Sequence, residues 1–157
     1  LIILCFILSL SKVNSQNATY INPGIKLGYA FGDNGGFVFG LEVSIVEHSG
    51  GDFVYGFVLS FDHINDAVIF HAGFEATGAW LIGIEVGPSF MLKNGEKSYG
   101  FGITPYAGFI LMPYMNISWF SNKQSFFQFG SYIKIPVQLG GKRFSLAGLK
   151  SFYSEIF

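Results

Sequence analysis

The chain has 157 residues, half of them apolar and 18% aromatic, with only 12% charged and a net charge of −1. That length suits one domain rather than two. A charged fraction about half the usual ~25% leaves too few residues to wet the surface of a soluble domain, and the near-neutral balance excludes a basic nucleic-acid footprint.

Residues 1–8 form an apolar run too short for a spanning helix, which needs about 20 residues. The small residues Val13 and Ser15 then stand where a signal peptidase reads. Residues 1–15 are therefore expected to be a signal peptide, incomplete at its N-terminus, cleaved before Gln16. Cys5 lies inside the apolar run, so the mature chain is expected to lack cysteine, and with it disulfide and thiolate chemistry.

Beyond residue 16 the pattern has period two and predicts strands near 20–31, 37–46, 53–62, 67–77, 79–91, 99–109, 112–120 and 126–139. Glycine, asparagine and aspartate punctuate them, at Gly32 to Gly36, Ser49 to Asp52, Asn65-Asp66 and Asn94-Gly95, the last a strong hairpin signal. Pro88, Pro105 and Pro136 fall inside predicted strands, where each demands a bulge or a strand end. Residues 140–157 are a tail, an extra strand or a truncated end. No amphipathic helix is expected.

Each strand has two unlike faces. Phe53, Tyr55, Phe57, Leu59 and Phe61 alternate with Val54, Gly56, Val58 and Ser60. Across the chain the large apolar face carries no charge. Lys26, Glu42, Asp62, His71, Glu75, Glu85 and Lys134 share the opposite parity with most strand glycines. The arrangement predicts an all-β, antiparallel, up-and-down transmembrane β-barrel of about eight strands over residues 16–139, with lipid outside and a side-chain-filled lumen. An eleven-residue strand tilted by about 40° covers roughly 28 Å, which suits an outer-membrane apolar band. Trp80, Tyr99, Trp119, Phe126 and Phe127, near strand ends, are expected in interfacial girdles. A soluble lipocalin-like ligand-binding barrel is the rival, but it would invert the faces.

The seven lumen residues are the sole polar constellation. They could form a proton, metal or ligand site, but a packed ion-pair network is the expectation, because charges removed from water must be paired. No catalytic, cofactor or metal site is expected. Ser60, Asp62 and His63 have the residue types of a hydrolase triad, yet adjacency in sequence is not triad geometry. The glycine clusters have no phosphate-loop spacing.

Residues 20–29 (Tyr-Ile-Asn-Pro-Gly-Ile-Lys-Leu-Gly-Tyr) and 130–136 (Gly-Ser-Tyr-Ile-Lys-Ile-Pro) resemble segments of small outer-membrane β-barrel proteins, of the OmpX/OmpA-like and PorT-like families of Bacteroidetes-type Gram-negative bacteria. The resemblance implies an outer-membrane location, contact with lipid and lipopolysaccharide, and insertion by the barrel assembly machinery. It also leaves a lipid A acyltransferase or deacylase as the enzymatic alternative to a non-enzymatic structural or surface-binding barrel. Phe157 fits the aromatic ending of such barrels, whereas Glu155 breaks the alternation before it.

Overall fold

A computed structural model describes residues 18–32, 35–48, 53–78, 81–108, 110–122 and 124–139. The expected signal peptide, Trp80 and the 140–157 segment lie outside them. The strands are β1 (Ala18–Phe31), β2 (Gly36–His48), β3 (Phe53–Ile64), β4 (Ala67–Gly78), β5 (Ile82–Lys93), β6 (Glu96–Ala107), β7 (Leu111–Phe120), β8 (Ser125–Lys134) and a short β9 (Val137–Leu139). Each of the first eight pairs antiparallel with its neighbour, and β8 returns to β1, so the sheet closes into an eight-stranded barrel. No helix of the described residues is long and apolar enough to cross a membrane, a statement that does not bear on strands.

β9 continues β8 rather than adding a ninth stave. Gly24 faces Lys134 and Ile21 faces Val137 in one register along β1. The interruption falls where Pro136 lacks an N–H, and Ile135 N still donates to Pro23 O at 3.0 Å. Pro136 thus marks the expected strand end. Pro105 lies two residues from the β6 end at Ala107, whereas Pro88 sits inside β5, and neither introduces a bulge. His71–Ser89 and Phe74–Val86 keep one register across Pro88, and Ile103–Ile117 and Tyr106–Tyr114 keep one across Pro105. Each proline removes local ladder bonding, and the flanking pairs hold the alignment.

Following paired residues around the wall defines its stagger. From Ile21 the path runs through Ile45, Phe57, Phe74, Val86, Ile103, Ile117 and Phe127 to Phe31, ten residues further along β1. A ten-residue stagger over eight strands tilts the strands by roughly 40°. Every residue on this path is apolar.

Outward side chains are exposed, as in Phe57 at 74%, and inward ones buried, as in Val58 at 1%. The strands extend further at several ends than the sequence pattern suggests. They thereby take in Glu47, His63 and Lys97, exposed near the rims, so strand charges are not confined to the lumen as expected. The Asn94-Gly95 hairpin has both residues at positive φ, 50° and 83°, which matches the strand twist and which glycine adopts without strain.

The lumen is layered. Ala30, Val38, Ile64, Ala67, Ile69, Met91, Phe120 and Phe126 form an apolar plug at the end opposite residues 18 and 139. Phe126 packs on Phe120 with ring centroids 6.0 Å apart, so it is not the interfacial aromatic expected, whereas Tyr99, Trp119 and Phe127 do point outward. Below the plug lies a polar belt, and a cluster of Tyr106, Met112, Tyr114 and Tyr132 packs within the lumen beside it.

Candidate functional site: the polar belt of the lumen

All seven predicted lumen residues are buried, and six of them carry charge that must be compensated there. They do not form one network. Lys26 Nζ donates to Asp62 Oδ2 at 2.8 Å as a separate pair. Lys134 instead sits among three carboxylates, touching Glu42, Glu75 at 3.3 Å and Glu85 at 3.2 Å. Glu75 and Glu85 face each other across the β4–β5 hairpin. Like charges opposite one another are unfavourable, and Lys134 from the far side of the barrel bridges them.

Strand pairing explains how these contacts form. Lys26, Gly40 and Asp62 lie side by side on β1, β2 and β3, and a side chain at Gly40 would run into the Asp62 carboxylate and the stem of Lys26. Gly24 likewise pairs with both Glu42 and Lys134, and a Cβ there would lie 3.0 Å from Lys134 Cγ. Thr77, Gly83 and Tyr106 repeat the arrangement, with the Thr77 and Tyr106 hydroxyls 2.5 Å apart over the glycine. In a barrel this narrow, next-nearest strands can exchange long polar side chains only over a strand with no side chain between them. The inward glycines form these saddles.

The carboxylates also accept from phenols. Tyr106 OH donates to Glu75 Oε1 at 2.5 Å and Tyr132 OH to Glu85 Oε2 at 3.0 Å. Lys134 Nζ stands 5.2 Å and 4.9 Å from the centroids of those two rings, and Lys26 Nζ stands 5.0 Å from that of Tyr114, within cation–π range. These tyrosines were missed among the candidate residues. The period-two rule places Tyr106 and Tyr132 inward, in step with Gly102 and Lys134, which is the signal that could have found them.

His71 lies in the belt without joining the carboxylates. Its Nδ1 is 3.0 Å from Ser89 Oγ. Asn116 Nδ2 donates to Thr104 Oγ1 at 2.7 Å and Ser118 Oγ donates to Asn116 Oδ1 at 2.8 Å, extending the belt across β6 and β7. Ser60 and Asp62 point inward, whereas His63 is exposed on the outer side, so the wall divides the three residues of the hydrolase pattern. A cavity of about 80 Å³, lined in part by Tyr20, Asn22, Glu75, Thr77, Tyr106 and Lys134, lies at the end where β1 begins and β8 finishes.

Comparison of the chain with protein-family models, with curated proteins and with solved structures finds no match. The class defined here is an antiparallel eight-stranded β-barrel with an internal polar belt.

Proposed function

We propose that this chain is a non-enzymatic integral outer-membrane β-barrel, with a closed, side-chain-filled lumen and a structural or surface-binding role. The outer wall is the observation that supports this most. The path from Ile21 through Phe57 and Phe74 to Phe31 meets no polar residue, while the charges of Lys26, Glu42, Asp62, Glu75, Glu85 and Lys134 are buried inside. Lipid accepts such a surface without cost, whereas water does not. A mainly apolar groove of about 580 Å³, lined by outward Phe61, Phe70 and Phe90 and bordered by inward Ser60, His71 and Ser89, offers room for acyl chains.

A lipocalin-like ligand binder fits less well, because among the described residues ion pairs and tyrosines fill the lumen where such a barrel would hold an apolar chamber. Among the described residues no accessible triad supports the lipid A acyltransferase or deacylase alternative: His71 and Ser89 are each buried, and Ser60 and His63 lie on opposite sides of the wall. The proposal follows the resemblance to OmpX/OmpA-like and PorT-like barrels, and it implies lipid and lipopolysaccharide as surroundings and insertion by the assembly machinery. The connections opposite residues 18 and 139 are short, with two residues at Asn65-Asp66 and two at Asn94-Gly95, which disfavours an elaborate receptor.

The test is fractionation of Gram-negative cells expressing the protein, followed by electrophoresis with and without boiling. A band in the outer-membrane fraction whose migration changes on heating is the expected result. Recovery in the soluble fraction would overturn the proposal.

A further inference from the structure

The charge of the polar belt does not balance. Lys26 and Asp62 neutralise each other, but Lys134 alone faces Glu42, Glu75 and Glu85, a formal sum of −2 for these four residues when all are ionised. One ligand oxygen from each of the three carboxylates can be chosen so that all lie within 4.8 Å of one another. That spacing brackets a hard cation held at about 2.3–2.6 Å from oxygen ligands.

A second observation points to a ligand. Glu42 Oε2 and Glu75 Oε2 are buried with no hydrogen-bond partner among the described residues, although Glu42 and Glu75 are each only 5% exposed. Buried carboxylate oxygens are rarely left without a partner. Lys134 takes Oε1 of Glu42, Glu75 and Glu85, and Tyr132 donates to Glu85 Oε2, so Glu42 Oε2 and Glu75 Oε2 are the oxygens open to a cation and Glu85 would share one of its own. Glu75 also lines the cavity of about 80 Å³ at the terminal end, which is large enough for waters to complete a coordination shell. The apolar plug closes the other end, so this cavity is the approach from solvent.

We propose that Glu42, Glu75 and Glu85 form an internal site for one divalent cation of the calcium class. All the available ligands are oxygens, the donor preference of a hard ion. Lys134 keeps its contacts to one oxygen of each carboxylate, and the ion neutralises the remaining charge in a single step. Two protons are the competing solution. The proposal stands apart from membrane location, since it depends only on the folded lumen.

The experiment uses the folded full chain, isolated in detergent or from the soluble fraction, stripped with chelator and titrated with terbium. Tyr106 and Tyr132, hydrogen-bonded to two of the ligands, sit where excited phenols sensitise a bound lanthanide. Saturable emission at one ion per barrel, displaced by calcium but not by sodium at equal ionic strength, is expected. Calcium should also raise the urea midpoint of the wild type and leave that of Glu75→Gln unchanged. Glu47→Gln, on the outer rim, should behave as wild type. A folded barrel showing neither sensitised emission nor a calcium-specific midpoint shift would overturn the site and leave protons as the neutralising charge. If Glu75→Gln does not fold, displacement of terbium by calcium in the wild type decides alone.

Discussion

Lys134 and Glu42 make contact although β1 separates their strands, and Gly24, paired with both, is the residue they meet across. The same geometry joins Lys26 to Asp62 over Gly40. Both ion pairs therefore depend on a residue that contributes no side chain. A substitution at either glycine should act as an ion-pair mutation.

Gly40→Val should destabilise the barrel by about 1–3 kcal/mol through overpacking, with the loss of the Lys26–Asp62 contact added. The check is a urea unfolding titration of the refolded protein, together with the Gly40→Val and Asp62→Asn double-mutant cycle. Independent, additive effects in that cycle would show that the glycine does not serve the pair.

Lys134 should be the most sensitive charge in the lumen. Lys134→Met removes the one cation facing three carboxylates, and breaking a buried pair costs about 3–5 kcal/mol. Glu85→Gln weakens the contacts to Lys134 and Tyr132 but also relieves repulsion from Glu42 and Glu75, so its cost should be smaller. The order of the two unfolding midpoints tests this, and a larger loss for Glu85→Gln would refute the three-to-one arrangement.

Much of this barrel was legible from alternation alone. The eight long strands form within a few residues of their expected bounds, and all seven lumen residues are inward, because a period of two ties side-chain direction to parity. Partner choice was not legible. Whether Lys26 or Lys134 meets Glu85 depends on the ten-residue stagger at closure, which accumulates around eight pairings. The β4–β5 turn also lies later than the alternation suggests. With β5 starting at Ile82 rather than near 79, Glu75 and Glu85 become opposite neighbours, a conflict that calls for a cation between them. Phe126 was misplaced because an aromatic near a strand end suits either an interface or an end plug.

Tyr106→Phe should cost about 1–3 kcal/mol. It leaves the Glu75 carboxylate without a 2.5 Å donor and the Thr77 hydroxyl without its partner. Tyr99→Phe, outward and exposed, should change the midpoint little. Equal effects of the two substitutions in the same denaturant titration would contradict the assignment of Tyr106 to the polar belt.

Phe57 and Val58 are adjacent on β3 and face opposite ways. In a bilayer, Phe57→Arg should lower folding stability by about 2–4 kcal/mol, the cost of a charge facing lipid near the midplane. The measurement is reversible unfolding in vesicles. A fully tolerated arginine there would be incompatible with lipid contact at Phe57.

The proposal that lipid covers the outer wall is tested most directly by spin labels at Phe57→Cys and Val58→Cys, in a Cys5→Ser chain folded into vesicles. The label at 57 should collide readily with dissolved oxygen and rarely with a water-soluble nickel chelate, while the label at 58 should be shielded from both. Free access of the chelate to the label at 57 would contradict a lipid-facing wall.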